Sequence, residues 1–244
     1  MQALPSLGVA MALSGLAVAS GGVVQRVTGL GFSLVCVPFL VVLRGPLEGV
    51  RLVNVLACVV GAGVLVQAHV HIRWRDVLLL LVPAVVVGPV AGQIARRADP
   101  DLLSVLIGVV TLATVAVLAS GIRVRGLHGP VGATVAGGVS AAMNTMSGVG
   151  GPTVAMFGLN AGWEHDELRG TLAAYFLGLN AVSIASLGLP RDPWPILPAL
   201  GAAALAGVLV GGPLASRLPV RWLRNLVLVV AAAGSLTAIA NGIL

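Results

Sequence analysis

Six stretches of this chain run for close to twenty residues with few or no charges: 47–68, 77–95, 102–121, 168–187, 195–215 and 223–240. About twenty apolar residues wound as a helix are what the hydrocarbon core of a bilayer requires. Each run is closed by charge, proline or both, as at His69 to Asp76 or Arg96 to Asp101. Lipid offers the backbone no hydrogen-bond partner, so a spanning segment is either a helix or part of a closed barrel. Barrel strands alternate polar and apolar residues over about ten positions, and none of these runs does. The chain is predicted to be an all-α polytopic membrane protein, multi-pass in the cell membrane, with the lipid bilayer as its solvent.

Composition excludes most other classes. Hydrophobic residues make up 58% of the 244 and charged residues 9%, where soluble domains carry about 25% charge. That leaves too little charge for a polar skin. The net charge of +6 comes from basic residues in short breaks between apolar runs, not from a basic face or tail, so it reads as membrane orientation and no nucleic-acid partner is expected. Cys36 and Cys58 lie in apolar segments without CxxC spacing, and His69, His71, His128 and His165 are scattered, so no metal site is expected. No serine sits in a G-x-S-x-G elbow, and Gly29-Leu30-Gly31 lacks the rest of a dinucleotide fingerprint. Neither an enzyme nor a cofactor is predicted. The first twenty residues lack the basic start and polar cleavage region of a signal peptide and are read as membrane segment.

Two regions are less regular. Residues 4–43 are interrupted at Gly21-Gly22, Gln25-Arg26, Thr28-Gly29-Leu30-Gly31 and Pro38, and residues 130–160 at Gly137-Gly138, Asn144-Thr145 and Ser147 through Pro152. Each reads as a pair of short helices meeting at a glycine-rich break, either a hairpin or a broken span, for eight to ten membrane segments in all. Irregular backbone at membrane depth survives only where protein or a wet cavity surrounds it, so the breaks mark the expected site.

The two regions match at a constant spacing of 119 residues, which pairs Gln25 with Asn144, Gly29 with Gly148, Gly31 with Gly150, Gly88 with Gly207, Gly92 with Gly211 and Pro100 with Pro219. The expected organisation is two repeats, 1–124 and 125–244, each a broken hairpin followed by three transmembrane helices. An odd number of crossings per half inserts the second repeat upside down, the plan of many secondary transporters. Arginines sort onto two sides. Arg26, Arg73, Arg75, Arg123, Arg125, Arg169, Arg217, Arg221 and Arg224 fall on one, and Arg44, Arg51, Arg96, Arg97 and Arg191 on the other. The richer side is expected to be cytoplasmic, which puts both termini on the outer face.

At a broken helix several N–H groups lack an internal partner and the N-terminus carries partial positive charge, an arrangement suited to a small anion. Candidate substrate-binding residues are therefore Gln25, Thr28, Gly29, Gly31 and Ser33 at the first break, and Asn144, Thr145, Ser147, Gly148, Gly150 and Gly151 at the second. The plainer reading is that glycines permit tight helix packing and the amides join helices. Arg51 and Arg169 occupy near-equivalent places, one residue off the exact offset, and are candidates for the anion pathway together with the intramembrane Asn54 and Asn180. End-of-helix snorkelling is the alternative for the arginines. Glu48, Glu164, Asp166 and Glu167 lie at segment ends, where a coupling proton is one option and plain solvent exposure the other.

On GGVVQRVTGLGFSLVCVP at 21–38 and GGVSAAMNTMSGVGGP at 137–152, the chain resembles the TauE/SafE family of sulfite and organosulfonate exporters, the TSUP permeases. The resemblance extends over essentially the whole chain. Gly148-Val149-Gly150-Gly151-Pro152 is close to the family's form, whereas Phe32-Ser33 departs from it and narrows the first break. The resemblance implies secondary transport of small sulfur-containing or carboxylate anions. A passive anion channel and a non-transporting membrane scaffold are the alternatives, and a homo-oligomer is compatible with all three.

Overall fold

The structure is a computed structural model that describes residues 7–28, 31–120, 127–191, 196–217 and 220–243. Among these it contains ten α-helices: α1 (Leu7–Thr28), α2 (Phe32–Arg44), α3 (Pro46–Ala68), α4 (Trp74–Arg97), α5 (Pro100–Ser120), α6 (Gly129–Ser147), α7 (Gly151–Asn160), α8 (His165–Leu187), α9 (Ile196–Arg217) and α10 (Val220–Ile243). The six apolar runs are α3, α4, α5, α8, α9 and α10. Together with α1 they are seven helices long and apolar enough to cross a membrane.

The irregular regions differ from the expected pairs of short helices. Each is one long helix followed by one short one. α1 has 22 residues and α6 has 19, whereas α2 has 13 and α7 has 10. At about 1.5 Å per residue, α1 reaches about 33 Å, long enough to cross the core; Gly21 and Gly22 lie inside it without breaking it. The breaks come only where backbone geometry demands them. Gly31 caps α2 at φ 144°, and Gly148 ends α6 in the left-handed conformation at φ 73°, its N–H donating to the Asn144 carbonyl at 2.7 Å. A residue with a Cβ is strained at either angle.

Both pairs fold as hairpins. Cys36 Sγ of α2 lies 3.6 Å from the Ala17 carbonyl of α1, and Gly21 packs against Phe32, so the chain runs back along itself. In the second pair Ser140 Oγ of α6 donates to the Gly150 carbonyl at the start of α7, at 2.7 Å.

The spacing of 119 carries α3 onto α8 end for end and brings the other helices of the first half close to α6, α7, α9 and α10. Two equivalent pairs, α3 with α8 and α5 with α10, pack antiparallel. Arg51 at the start of α3 meets Leu187 at the end of α8, and Gly242 at the end of α10 meets Asp101 at the start of α5, while Gly108 meets Ser235 and Ile239. The halves also interleave: α1 packs on α9, and α4 on α6. The boundary at 124/125 falls in 121–126, outside the described residues.

Glycine brings these cross-half pairs into contact. Gly22 and Gly207 touch the backbones of Ala204 and Ala19, and Gly137 touches that of Leu80. In α4 the inward residues include Ala84, Gly88, Ala91, Gly92 and Ala95, while Leu78, Val82, Val85, Val86, Val90 and Ile94 face outward. Small inside and large outside suits lipid, where close backbone approach replaces the hydrophobic effect between helices.

Candidate functional site

The hairpin turns place two short helices so that both begin at one cavity of about 90 Å³. It is lined by Gly31, Phe32, Ser33 and Leu34 at the start of α2, and by Val149, Gly150, Gly151 and Pro152 at the start of α7. A single water needs roughly 10–15 Å³ on this measure, so the space takes a small ion with part of its hydration. Because α2 and α7 run in opposite directions, their N-termini approach the cavity from opposed sides. Pro152 has no N–H, but a helix start leaves several others without intrahelical partners.

Gln25 and Asn144, equivalent at the 119 spacing, both line this cavity. Gln25 Oε1 accepts the Phe32 N–H at 3.2 Å, which holds the end of α1 against the start of α2. Asn144 is the hub of a buried network. Its Nδ2 lies 2.9 Å from Asn54 Oδ1 of α3, 3.0 Å from Asn180 Oδ1 of α8 and 3.2 Å from Ser183 Oγ of α8. An amide nitrogen carries two hydrogens, so the three acceptors share them. Asn54 Nδ2 donates to the Val50 carbonyl at 2.8 Å, which turns its oxygen toward Asn144. Asn180 accepts through Oδ1 and also lines the cavity, leaving its Nδ2 hydrogens as donors for an occupant.

Arg169 of α8 is the cation on the cavity wall. The rest is largely apolar: Ala57, Val60, Gly61 and Val64 of α3, Leu118 of α5, and Leu172, Ala173 and Phe176 of α8. In such surroundings a charge–charge contact is screened far less than in water. The lining of α3 comes from its C-terminal half and that of α8 mostly from its N-terminal part, so the cavity lies toward one end of the molecule.

Other candidate residues sit around this space rather than in it. Thr145 is buried behind Asn144, its Oγ1 2.9 Å from Ser183 Oγ. Ser147 Oγ donates to the Met143 carbonyl at 2.7 Å and lies 3.4 Å from the Val149 nitrogen. Gly148 packs on Val37, Val50 and Val53. Thr28 is the last residue of α1, and Gly29 lies outside the described residues. Arg51 is at the opposite end of α3 from the cavity. Of the acids at segment ends, Glu48 pairs with Arg51 at 3.1 Å, while Glu167 pairs with Arg73 at 3.2 Å and joins Glu164 in the capping box of α8. The hydrogen bonds that Arg73 donates to Asp76 and Glu167 raise its pKa above its ordinary value.

Sequence reasoning overlooked Ser140, Ser183 and the apolar strip of α3. Ser140 lies four residues before Asn144 and Ser183 three after Asn180, and helical spacing sets each on the face of its neighbour. That periodicity was the available signal. For Ala57 to Val64 there was none, because a cavity-facing apolar strip reads like a lipid-facing one.

Comparison with known proteins gives one whole-chain match. A family described as Sulfite exporter TauE/SafE matches residues 13–238. No curated protein and no solved structure matches the chain.

Proposed function

The chain belongs to the sulfite exporter TauE/SafE family, and on that premise we propose that it is a secondary transporter of small anions such as sulfite, sulfonates or related sulfur-containing or carboxylate species. The observation that carries this reading is one cavity shared by both helix breaks, with the starts of α2 and α7 and the Arg169 guanidinium around it. Two helix N-termini, amide donors and one cation in apolar walls favour an anion over a cation or a neutral solute.

An anion at this point would be held by the backbone N–H groups at the starts of α2 and α7, which helix geometry leaves without intrahelical partners. Asn144 joins α3, α6 and α8 at the cavity floor and transmits the occupant's presence to both repeats. Repeat-against-repeat rocking then exposes the site to each face in turn. The seven long apolar helices support a multi-pass membrane location. The reading places the protein in the cell membrane with its ends outside, and a coupling proton or the membrane potential as the driving force.

Flux into proteoliposomes is the direct test. Labelled sulfite, sulfoacetate and short carboxylates are expected to enter faster than into empty liposomes, with a counterflow overshoot when unlabelled anion is preloaded. A channel conducts without overshoot. Uptake at the empty-liposome rate across the whole panel would overturn the proposal.

A further inference from the structure

α3 and α8 carry the same pair of residues at their starts. Glu48 is equivalent to Glu167 at the 119 spacing, and Arg51 is one residue from the equivalent of Arg169. Because the two helices are antiparallel, each Glu/Arg pair lies at an opposite end of the molecule, facing the last turn of the other repeat's helix.

The two ends are in different states. At one, Arg51 reaches across and donates to the Leu187 carbonyl through Nε at 3.1 Å and Nη2 at 2.7 Å, and to Glu48 Oε2 through Nη1 at 3.1 Å. Glu48 Oε1 in turn accepts the Arg191 N–H. The start of α3 is thereby tied to the end of α8 and to the residue just beyond it, with the Arg51 side chain 6% exposed. At the other end Glu167 holds Arg73, just beyond α3, in a looser pair whose side chains are 45% and 28% exposed. Arg169 turns into the cavity there, and among the described residues no hydrogen bond ties it to protein.

We propose that Arg51 and Arg169 are the two gates of the transport cycle, each alternating between capping the C-terminus of the other repeat's helix and facing the anion. The inference rests on the transport reading above. A guanidinium in apolar surroundings is stabilised by a negative partner. Besides Glu48, which pairs with Arg51 on its own helix, the C-terminal carbonyls of a helix and the transported anion are partners of the required sign. In the state seen here, Arg51 shuts its end and Arg169 faces the substrate space. In the opposite state Arg169 caps α3, Arg51 releases Leu187, and the cavity opens toward the Arg51 end.

Thiol accessibility tests this without any anion. In a chain with Cys36 and Cys58 replaced by serine, Ala57→Cys places a reporter on the cavity wall, and a membrane-impermeant maleimide is applied to reconstituted vesicles from each face. The parent is expected to label mainly from the Arg169 end. Arg51→Ala is expected to raise labelling from the other face about tenfold, the population shift that losing a charge-assisted hydrogen bond produces. Arg169→Ala is expected to confine labelling to its own end. Arg51→Lys, which keeps the charge but not the three-way fork, is the milder companion and is expected to shift labelling in the same direction by less. An unmoved face ratio in both Arg51 variants, or the same shift from Arg51→Ala and Arg169→Ala, overturns the gates. Normal anion flux beside unmoved labelling removes the gates alone. Shifted labelling without flux of any anion removes the transport reading, and the assignment of Arg51 and Arg169 as gates of transport falls with it.

Discussion

Asn144 has more acceptors than hydrogens, and that makes its substitution informative. Asn144→Ala strands the oxygens of Asn54 and Asn180, for an expected loss of about 1–3 kcal/mol in stability, read as a lower Tm in detergent. Asn144→Asp keeps the shape but puts a carboxylate beside the oxygens of Asn54 and Asn180 and into the anion's space. Sulfite affinity by calorimetry is expected to fall further in Asn144→Asp than in Asn144→Ala. Equal affinities would move the anion away from Asn144. Gly150 is constrained by space: a Cβ there would sit 2.7 Å from the Ser140 carbonyl and 2.9 Å from Asn144 Cβ. Gly150→Ala is expected to cost about 1–3 kcal/mol, as overpacking does, and to lower flux by displacing the start of α7. A variant with parental Tm and flux would contradict the close packing at this turn.

At the scale of the element, α2 depends on a cap from outside itself. Gln25→Leu removes the acceptor for the Phe32 N–H and is expected to lower stability by about 1 kcal/mol, the usual worth of an N-terminal cap. Anion affinity is expected to weaken alongside, since the start of α2 then frays. Unchanged affinity beside a lowered Tm would take α2 out of the site and leave α7 as the anion's only helix. The long helices were legible because transfer of apolar residues into lipid is additive along the chain, and all six runs became helices. The extent of α1 was not legible. Gly21-Gly22 reads as a break, yet both glycines lie inside the helix, Gly21 against Phe32 and Cys36 of the returning α2 and Gly22 against α9. In lipid such glycines serve packing as often as interruption.

For the whole molecule, an odd number of crossings in each half is expected to return the chain to the side where it began. Tags at the two ends are expected to be digested together by protease added outside right-side-out vesicles, and a tag at residue 124 to be protected. Opposite accessibility of the two termini would break the odd number of crossings per half. Residence in the membrane, helical class and the breaks at Gly31 and Gly148 were written in the sequence, because apolar transfer and glycine's access to positive φ act locally. The meeting of Asn54, Asn144 and Asn180, drawn from three helices and up to 126 residues apart, was decided by tertiary structure. So was the divergence of two nearly equivalent arginines, with Arg51 on a helix end and Arg169 in the cavity. A repeated sequence prescribes the same gate twice; only the packing of one repeat against the other determines which of the two is shut.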